Sequence, residues 1–282
     1  MEIQWYPGHM TKAMRQMSED MKLIDLVIEL VDARVPVAGR NPDLERLGKG
    51  KARLLLLNKS DLADARENER WKKHFLEQGL QTVLLDAQKN TGMNEIKSAI
   101  QIACSEKIER DRRRGIKNRP VRAMVVGIPN VGKSTFINSF AKKAVAKTGN
   151  RPGVTKGKQW IRLNPTLELL DTPGVLWPKF EDKTVGLHLA MIGTINDEIL
   201  QTEELALECI AFLKEEYAGK LSERYEIMET DENNAILLGV AQRLGCLKKG
   251  GDADTERAAR LLIDDLRSGR LGRITIEKKK DI

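Results

Sequence analysis

The sequence predicts an α/β chain, with a mostly parallel sheet covered by helices on both faces and an all-helical continuation. Three observations carry this reading. Short aliphatic or β-branched runs each end in a polar or glycine-rich loop, helical stretches alternate with those runs, and after Gly174 the strands stop and helical periodicity takes over. A chain of 282 residues has room for about two domains, each able to bury a core.

The first element, Thr11 to Met21, spaces Met14, Met17 and Met21 as one face of a helix. Four runs then read as strands: LIDLVIELV before DARVP, RLLLL before NKSD, TVLL before DAQKNTG and VRAMVV before GIPNVGKS. Helices are expected between them at Arg66 to Gln78, Met93 to Arg110 and Gly132 to Lys142. Trp160 to Leu163 and Leu167 to Leu170 suit a hairpin turning through Asn164-Pro165. Beyond it, Ile236, Leu237, Val240, Ala241 and Leu244 form one helical stripe. Ala259, Leu262, Ile263 and Leu266 form another, begun by an Asp or Thr cap and stopped near Gly269. The expected domains are 1–178 and 179–282.

Hydrophobic residues make up 41% and charged residues 32% of the chain, which excludes wholesale disorder. A net charge of +7 favours a polyanionic partner. Between Glu106 and Arg122, eight basic residues face three acidic ones; this stretch reads equally as a solvated helix end or as a basic surface. The three cysteines, Cys104, Cys209 and Cys246, never form a CxxC pair, so neither a disulfide partner nor a zinc site is expected. No signal-like segment opens the chain and no apolar run could span a bilayer, so the expectation is a cytosolic protein with no membrane partner.

The chemistry lies in the loops. GIPNVGKS fits G-x-x-x-x-G-K-[ST] between a strand and a helix. Backbone N–H groups of Val131, Gly132, Ser134 and Thr135 would wrap the phosphates, helped by the helix N-terminus. Lys133 would reach the β- and γ-phosphates, and Ser134 would ligate Mg²⁺. In DTPG, Asp171 could hold Mg²⁺ and the Gly174 N–H could meet the γ-phosphate. Thr155, in RPGVT, is the natural second magnesium ligand. NKSD selects the base: the Asp61 carboxylate can accept from both N1–H and the 2-amino group of guanine, whereas adenine leaves it unpaired. Asn58 belongs to the same motif, Lys59 would lie over the ring, and the Ala87 N–H in DAQ could meet guanine O6. GTP and GDP are therefore the expected ligands.

The motif order is unusual, because NKSD and DAQ precede the phosphate loop. All of these loops follow strands, and in an open α/β sheet ligands bind at the carboxyl ends of strands. A circularly permuted P-loop GTPase domain keeps the site intact. The order NKSD, DAQ, GIPNVGKS, RPGVT, DTPG, with WYPGHM at the start and DTPGVLWPKF at the join, resembles the bacterial ribosome biogenesis GTPase A family over nearly the whole chain. The resemblance implies a factor in late maturation of the large (50S) ribosomal subunit, with rRNA in its binding surface and hydrolysis stimulated by the particle. It also places the N-terminal motif near the switch region.

Val175 and Leu176 follow DTPG, where Ras-like proteins carry a water-orienting glutamine, so unaided hydrolysis should be slow. His9 is a catalytic candidate, since an imidazole can orient or deprotonate water near neutral pH and Pro7-Gly8 would let it swing. The alternative is that Trp5 and Tyr6 pack the N-terminus while His9 caps the following helix. Asn130 resembles the residue by which potassium-activated G proteins hold K⁺, or is a simple loop asparagine. Arg34, Arg40 and Arg151 are unranked as arginine fingers. The rival function is a nucleotide-gated RNA-binding module with incidental hydrolysis. Because Gly174 runs directly into the helical segment, γ-phosphate loss is expected to loosen or reorient that segment.

Overall fold

The computed structural model describes residues 5–116, 119–142, 159–180, 182–230 and 232–279. Two compact units are present: Gln4–Lys179 joined by Thr275–Ile282, and Phe180–Ile274. Against the expected limits, the difference is the return of the C-terminal segment to the first unit.

In chain order the first unit contains α1 (Gly8–Asp20), β1 (Leu26–Asp32), α2 (Pro42–Leu47), β2 (Ala52–Asn58), α3 (Ala65–Glu77) and β3 (Gln81–Leu84). Then follow α4 (Met93–Ala103), α5 (Ser105–Arg113), β4 (Val121–Val126), α6 (Lys133–Ala141), β5 (Gln159–Asn164) and β6 (Leu167–Asp171). The strands make a six-stranded sheet in the order β3-β2-β1-β4-β6-β5. Every neighbouring pair is parallel except β5–β6, the expected hairpin. Asn164 Oδ1 closes its turn by accepting from Thr166 N at 2.8 Å.

The strand sequences match their positions. LVIELVD of β1 is buried throughout, as a central strand covered on both faces requires. Leu54 to Leu57 of β2 are wholly buried, each contributing about 1.5–3 kcal/mol of transfer free energy. On one side of the sheet, Val31, Leu55 and Leu57 pack with Trp71 and Phe75 of α3. Because β1, β2, β3, β4 and β6 run parallel, Asp32, Asn58, Leu84, Val126 and Asp171 all end on one edge of the sheet. DARVP, NKSD, DAQ, GIPNVGKS and DTPG therefore share that edge.

The helix expected from Met93 to Arg110 is two helices, α4 and α5. Cys104 between them leaves helical geometry (φ −99°, ψ 10°) and is fully buried. Beyond the turn, Lys107 Nζ pairs with Asp111 one turn along α5 at 3.0 Å and reaches Asp25 at 3.7 Å. Burial pushes the Cys104 thiol up to about 11 and that of Cys209 up to about 12. Both are inert packing residues.

The second unit holds α7 (Lys183–Met191), α8 (Thr202–Glu216), α9 (Lys220–Tyr225), α10 (Asn233–Arg243) and α11 (Thr255–Ser268). The α11 stripe is buried at Ala258, Ala259, Leu262, Ile263 and Leu266. Asp254 caps α11 by accepting from Arg257 N at 3.0 Å, and Gly269 (φ +78°) ends it. Asp265 on the same helix is buried but satisfied, accepting from Tyr225 Oη at 3.1 Å, Arg224 Nε at 2.8 Å and Arg270 Nε. Among the described residues no helix is long and apolar enough to cross a membrane.

Candidate nucleotide-binding site

The phosphate loop lies between β4 and α6. Gly132 has φ +98°, and a Cβ there would stand 2.5 Å from Asn58 Nδ2, so only glycine lets the loop pass so close to NKSD. Lys133 opens α6. It is buried, and its Nζ donates to the carbonyls of Gly127 at 3.0 Å and Ile128 at 2.9 Å. Burial pushes its ammonium down to about 8, against the pull of Asp171. Asp171, at the end of β6, is raised by burial with Lys133 opposing. Its Oδ1 is buried without a hydrogen-bond partner, an arrangement that suits a hard cation or its water shell. Ser134 stands in the first turn of α6, and Thr135 follows it. RPGVT, with Thr155 and Arg151, lies outside the described residues.

DTPG crosses over this loop. A Cβ on Gly174 would meet Pro129 Cα at 2.7 Å and Lys133 Nζ at 2.8 Å. Val175 N donates to Gly127 O at 3.4 Å, and the Val175 carbonyl accepts from Asn41 Nδ2 at 3.1 Å. Val175 and Leu176 are fully buried. The Leu176 N–H donates to Met10 Sδ at 3.4 Å, which brings the start of α1 beside the segment after DTPG. His9 precedes that methionine and is exposed. Two expectations need correction here. His9 stands on the first turn of α1 and not on a swinging loop, because the helix begins at Gly8; nor does it cap α1, whose N-cap is Pro7 with no side-chain cap bond.

The base-side loops are tied together by Asn58. Its Nδ2 donates to Val131 O at 2.7 Å and its Oδ1 accepts from Ala87 N at 3.1 Å, so one side chain joins NKSD to the phosphate loop and to DAQ. A base oxygen at Ala87 N would have to share that hydrogen. Lys59 takes a left-handed backbone (φ +57°), with Nζ 3.1 Å from Asp32 Oδ2. Asp61 Oδ2 accepts from Lys89 Nζ at 3.0 Å. Asn130 in the phosphate loop is likewise left-handed, at φ +60°.

Two residues on this edge, Asp32 and Lys89, were not singled out from sequence. Asp32 is fully buried, and Arg34 donates to both of its carboxylate oxygens, at 2.9 and 2.8 Å. Burial pushes the Asp32 carboxyl up, but Arg34 and then Lys59 hold it well below the usual carboxylate range. Arg34 is thereby committed to the core. Arg40 pairs with Glu29 and Glu45. Neither is poised as an arginine finger. The signal available in the sequence was DARVP itself, a charged loop following a strand that must end on the ligand edge.

Phosphate-type and base-type loops converging on one sheet edge define a P-loop GTPase. A family model described as "50S ribosome-binding GTPase" matches residues 122–241. The ribosome biogenesis GTPase A of Bacillus licheniformis is 46% identical over 100% of both chains. That of Thermotoga maritima is 31% identical over 99% of this chain and 96% of its own. The mitochondrial ribosome-associated GTPase 1 of Mus musculus is 33% identical over 97% and 90%. Among solved structures, GDP-bound T. maritima YlqF superposes with a TM-score of 0.68 at 25% identity, over 95% of this chain and 100% of that one. The chain belongs to the ribosome biogenesis GTPase A family. It is a GTP-hydrolysing enzyme of ribosome biogenesis.

Proposed function

We propose that this GTPase acts in late maturation of the large ribosomal subunit, binds rRNA there, and hydrolyses GTP slowly until the particle stimulates it. The large-subunit assignment draws on the description of the matching family model. The observation that carries slow intrinsic turnover is the buried, apolar Val175–Leu176 pair after DTPG; neither side chain can hydrogen-bond a water. The Leu176–Met10 contact favours a role for His9, whose imidazole would orient or deprotonate the attacking water once the ribosome orders it. Thr155 and the Gly174 N–H complete the γ-phosphate side of this reading.

Ser134 and Asp171 fit a magnesium ion, which P-loop GTPases use to neutralise phosphate charge; the unpartnered Asp171 oxygen supports this. Asn130 is the proposed K⁺ ligand. On the base side, Asp61 accepts from guanine and Lys59 covers the ring. GTP is read as favouring one disposition of the helical unit, since the chain from Gly174 enters that unit directly.

The test is multiple-turnover hydrolysis with purified large or small subunits. Large subunits should accelerate it about 100-fold or more, the range for a positioned general base, and small subunits should not. His9→Ala should keep GDP affinity and lose the acceleration, while replacing K⁺ with Na⁺ should slow the reaction. Equal rates with both subunits would remove the large-subunit assignment, an accelerated His9→Ala would remove His9, and cation-independent rates would remove Asn130. The gated RNA-binding module remains the second reading, because of Val175. It predicts GTP-dependent co-sedimentation with no stimulation.

Lys133 adds a pH signature. A polyphosphate ligand restores the ammonium that burial has pushed to about 8, so nucleotide binding at pH 8.5 should be accompanied by net proton uptake. In the free protein the depressed value makes the same group favour folding as pH rises from about 8 to 10.5. Calorimetry in buffers of different ionisation enthalpy reads the uptake; none at all would remove Lys133 from the phosphates.

A further inference from the structure

Beyond Ile274 the chain returns to the GTPase unit and lies against the base-side edge of the site. Thr275 and Ile276 are buried there. Asp64 N donates to Thr275 Oγ1 at 3.0 Å. The N–H groups of Ile276 and Glu277 donate to Arg34 O at 2.8 and 3.2 Å. The Glu277 carboxylate accepts from two consecutive backbone donors, Val37 N at 2.6 Å and Ala38 N at 3.0 Å. Its carbonyl accepts from Trp71 Nε1 at 2.8 Å, and Lys279 N donates to Glu67 Oε2 at 2.7 Å.

The points of attachment are not scattered. Arg34 and Asp64 lie on either side of the proposed guanine-reading loop: one follows β1, and the other follows NKSD and caps α3. Val37 and Ala38 belong to the turn that continues DARVP, closed by Val35 N to Asp32 O and Gly39 N to Val35 O. A carboxylate accepting two adjacent N–H groups fixes such a turn as a cap fixes a helix start. From there a continuous polar path runs inward: Glu277 to the DARVP turn, Arg34 to Asp32, and Asp32 to the ammonium of Lys59. No motif of the phosphate loop or DTPG requires this attachment.

We infer that Thr275–Lys279 is a positioning strap for the guanine site, with Glu277 acting through Arg34 and Asp32 to set Lys59 over the base. The inference rests on the reading that Lys59 and Asp61 hold guanine. The strap bonds to Arg34, Val37, Ala38, Asp64, Glu67 and Trp71, on the base side of the site, so its effect is on base affinity and not on chemistry.

The full-length Glu277→Ala, Glu277→Gln, Asp32→Asn and Glu277→Ala/Asp32→Asn proteins test this by GDP titration and steady-state hydrolysis. Glu277→Ala should raise the GDP Kd and the GTP KM by about 10-fold with kcat unchanged at saturation, a loss of uniform binding. Glu277→Gln, which keeps one acceptor oxygen and the side-chain volume, should recover part of it. The double variant should bind GDP no worse than Asp32→Asn alone, because both act on Lys59. Unchanged Kd and KM in Glu277→Ala overturn the strap, as does a fall in kcat equal to the fall in kcat/KM. Should Glu277→Ala not fold, the isosteric Glu277→Gln carries the test, and wild-type affinity in it overturns the strap. If the wild-type protein itself fails to prefer GDP over ADP, the base-site reading falls instead, which separates the two failures.

Discussion

Asp61→Asn is expected to exchange guanine for xanthine nucleotides. A carboxylate accepts both the N1–H and the 2-amino group of guanine, whereas an amide accepts one hydrogen and donates the other. Xanthine carries a carbonyl at C2, so it suits the amide and repels the carboxylate. The GDP Kd should rise by about 100-fold or more, equivalent to about 2.7 kcal/mol, which is the scale of losing a charged hydrogen bond and leaving its partner unpaired. XDP should gain a comparable preference. In the fold, Asp61 Oδ2 is 3.0 Å from Lys89 Nζ on the DAQ side, so two loops support one side chain. Lys89 is largely exposed, and the pair itself adds little to stability. Titration with fluorescent GDP and XDP decides the matter, and unaltered GDP affinity would locate the base elsewhere.

Gly174→Ala should separate nucleotide binding from turnover. The added methyl would stand 2.7 Å from Pro129 Cα and 2.8 Å from Lys133 Nζ. The lysine end can move, but the proline backbone cannot without shifting the phosphate loop. DTPG is therefore held off the position where its N–H would meet a γ-phosphate. GDP makes no γ-phosphate contact, so its affinity should stay within a few-fold of wild type. Single-turnover hydrolysis should fall by about 100-fold, comparable to deleting one preorganised donor. A wild-type single-turnover rate would show that this glycine does not serve the γ-phosphate.

How much of this was legible without coordinates differs along the chain. The strands and their loops were readable because aliphatic runs ending in glycine and polar clusters are local signals, and because a parallel sheet necessarily gathers its loops on one edge. That rule sufficed to bring NKSD, DAQ, GIPNVGKS and DTPG together despite their order. The break at Cys104 was not readable, since local helical periodicity continues through it.

What the amino-acid order determined by itself is therefore the α/β class, the GTPase motifs and the family they resemble, all of which rest on contacts between near neighbours or on strand direction. What only the tertiary structure decided is the placement of groups distant in sequence. Asn58 joins the phosphate loop to DAQ, Met10 meets Leu176, Arg34 is buried on Asp32, and Glu277 closes on a turn some 240 residues earlier. Such pairings depend on where the sheet and helices pack the side chains, and no periodicity within either segment encodes its partner.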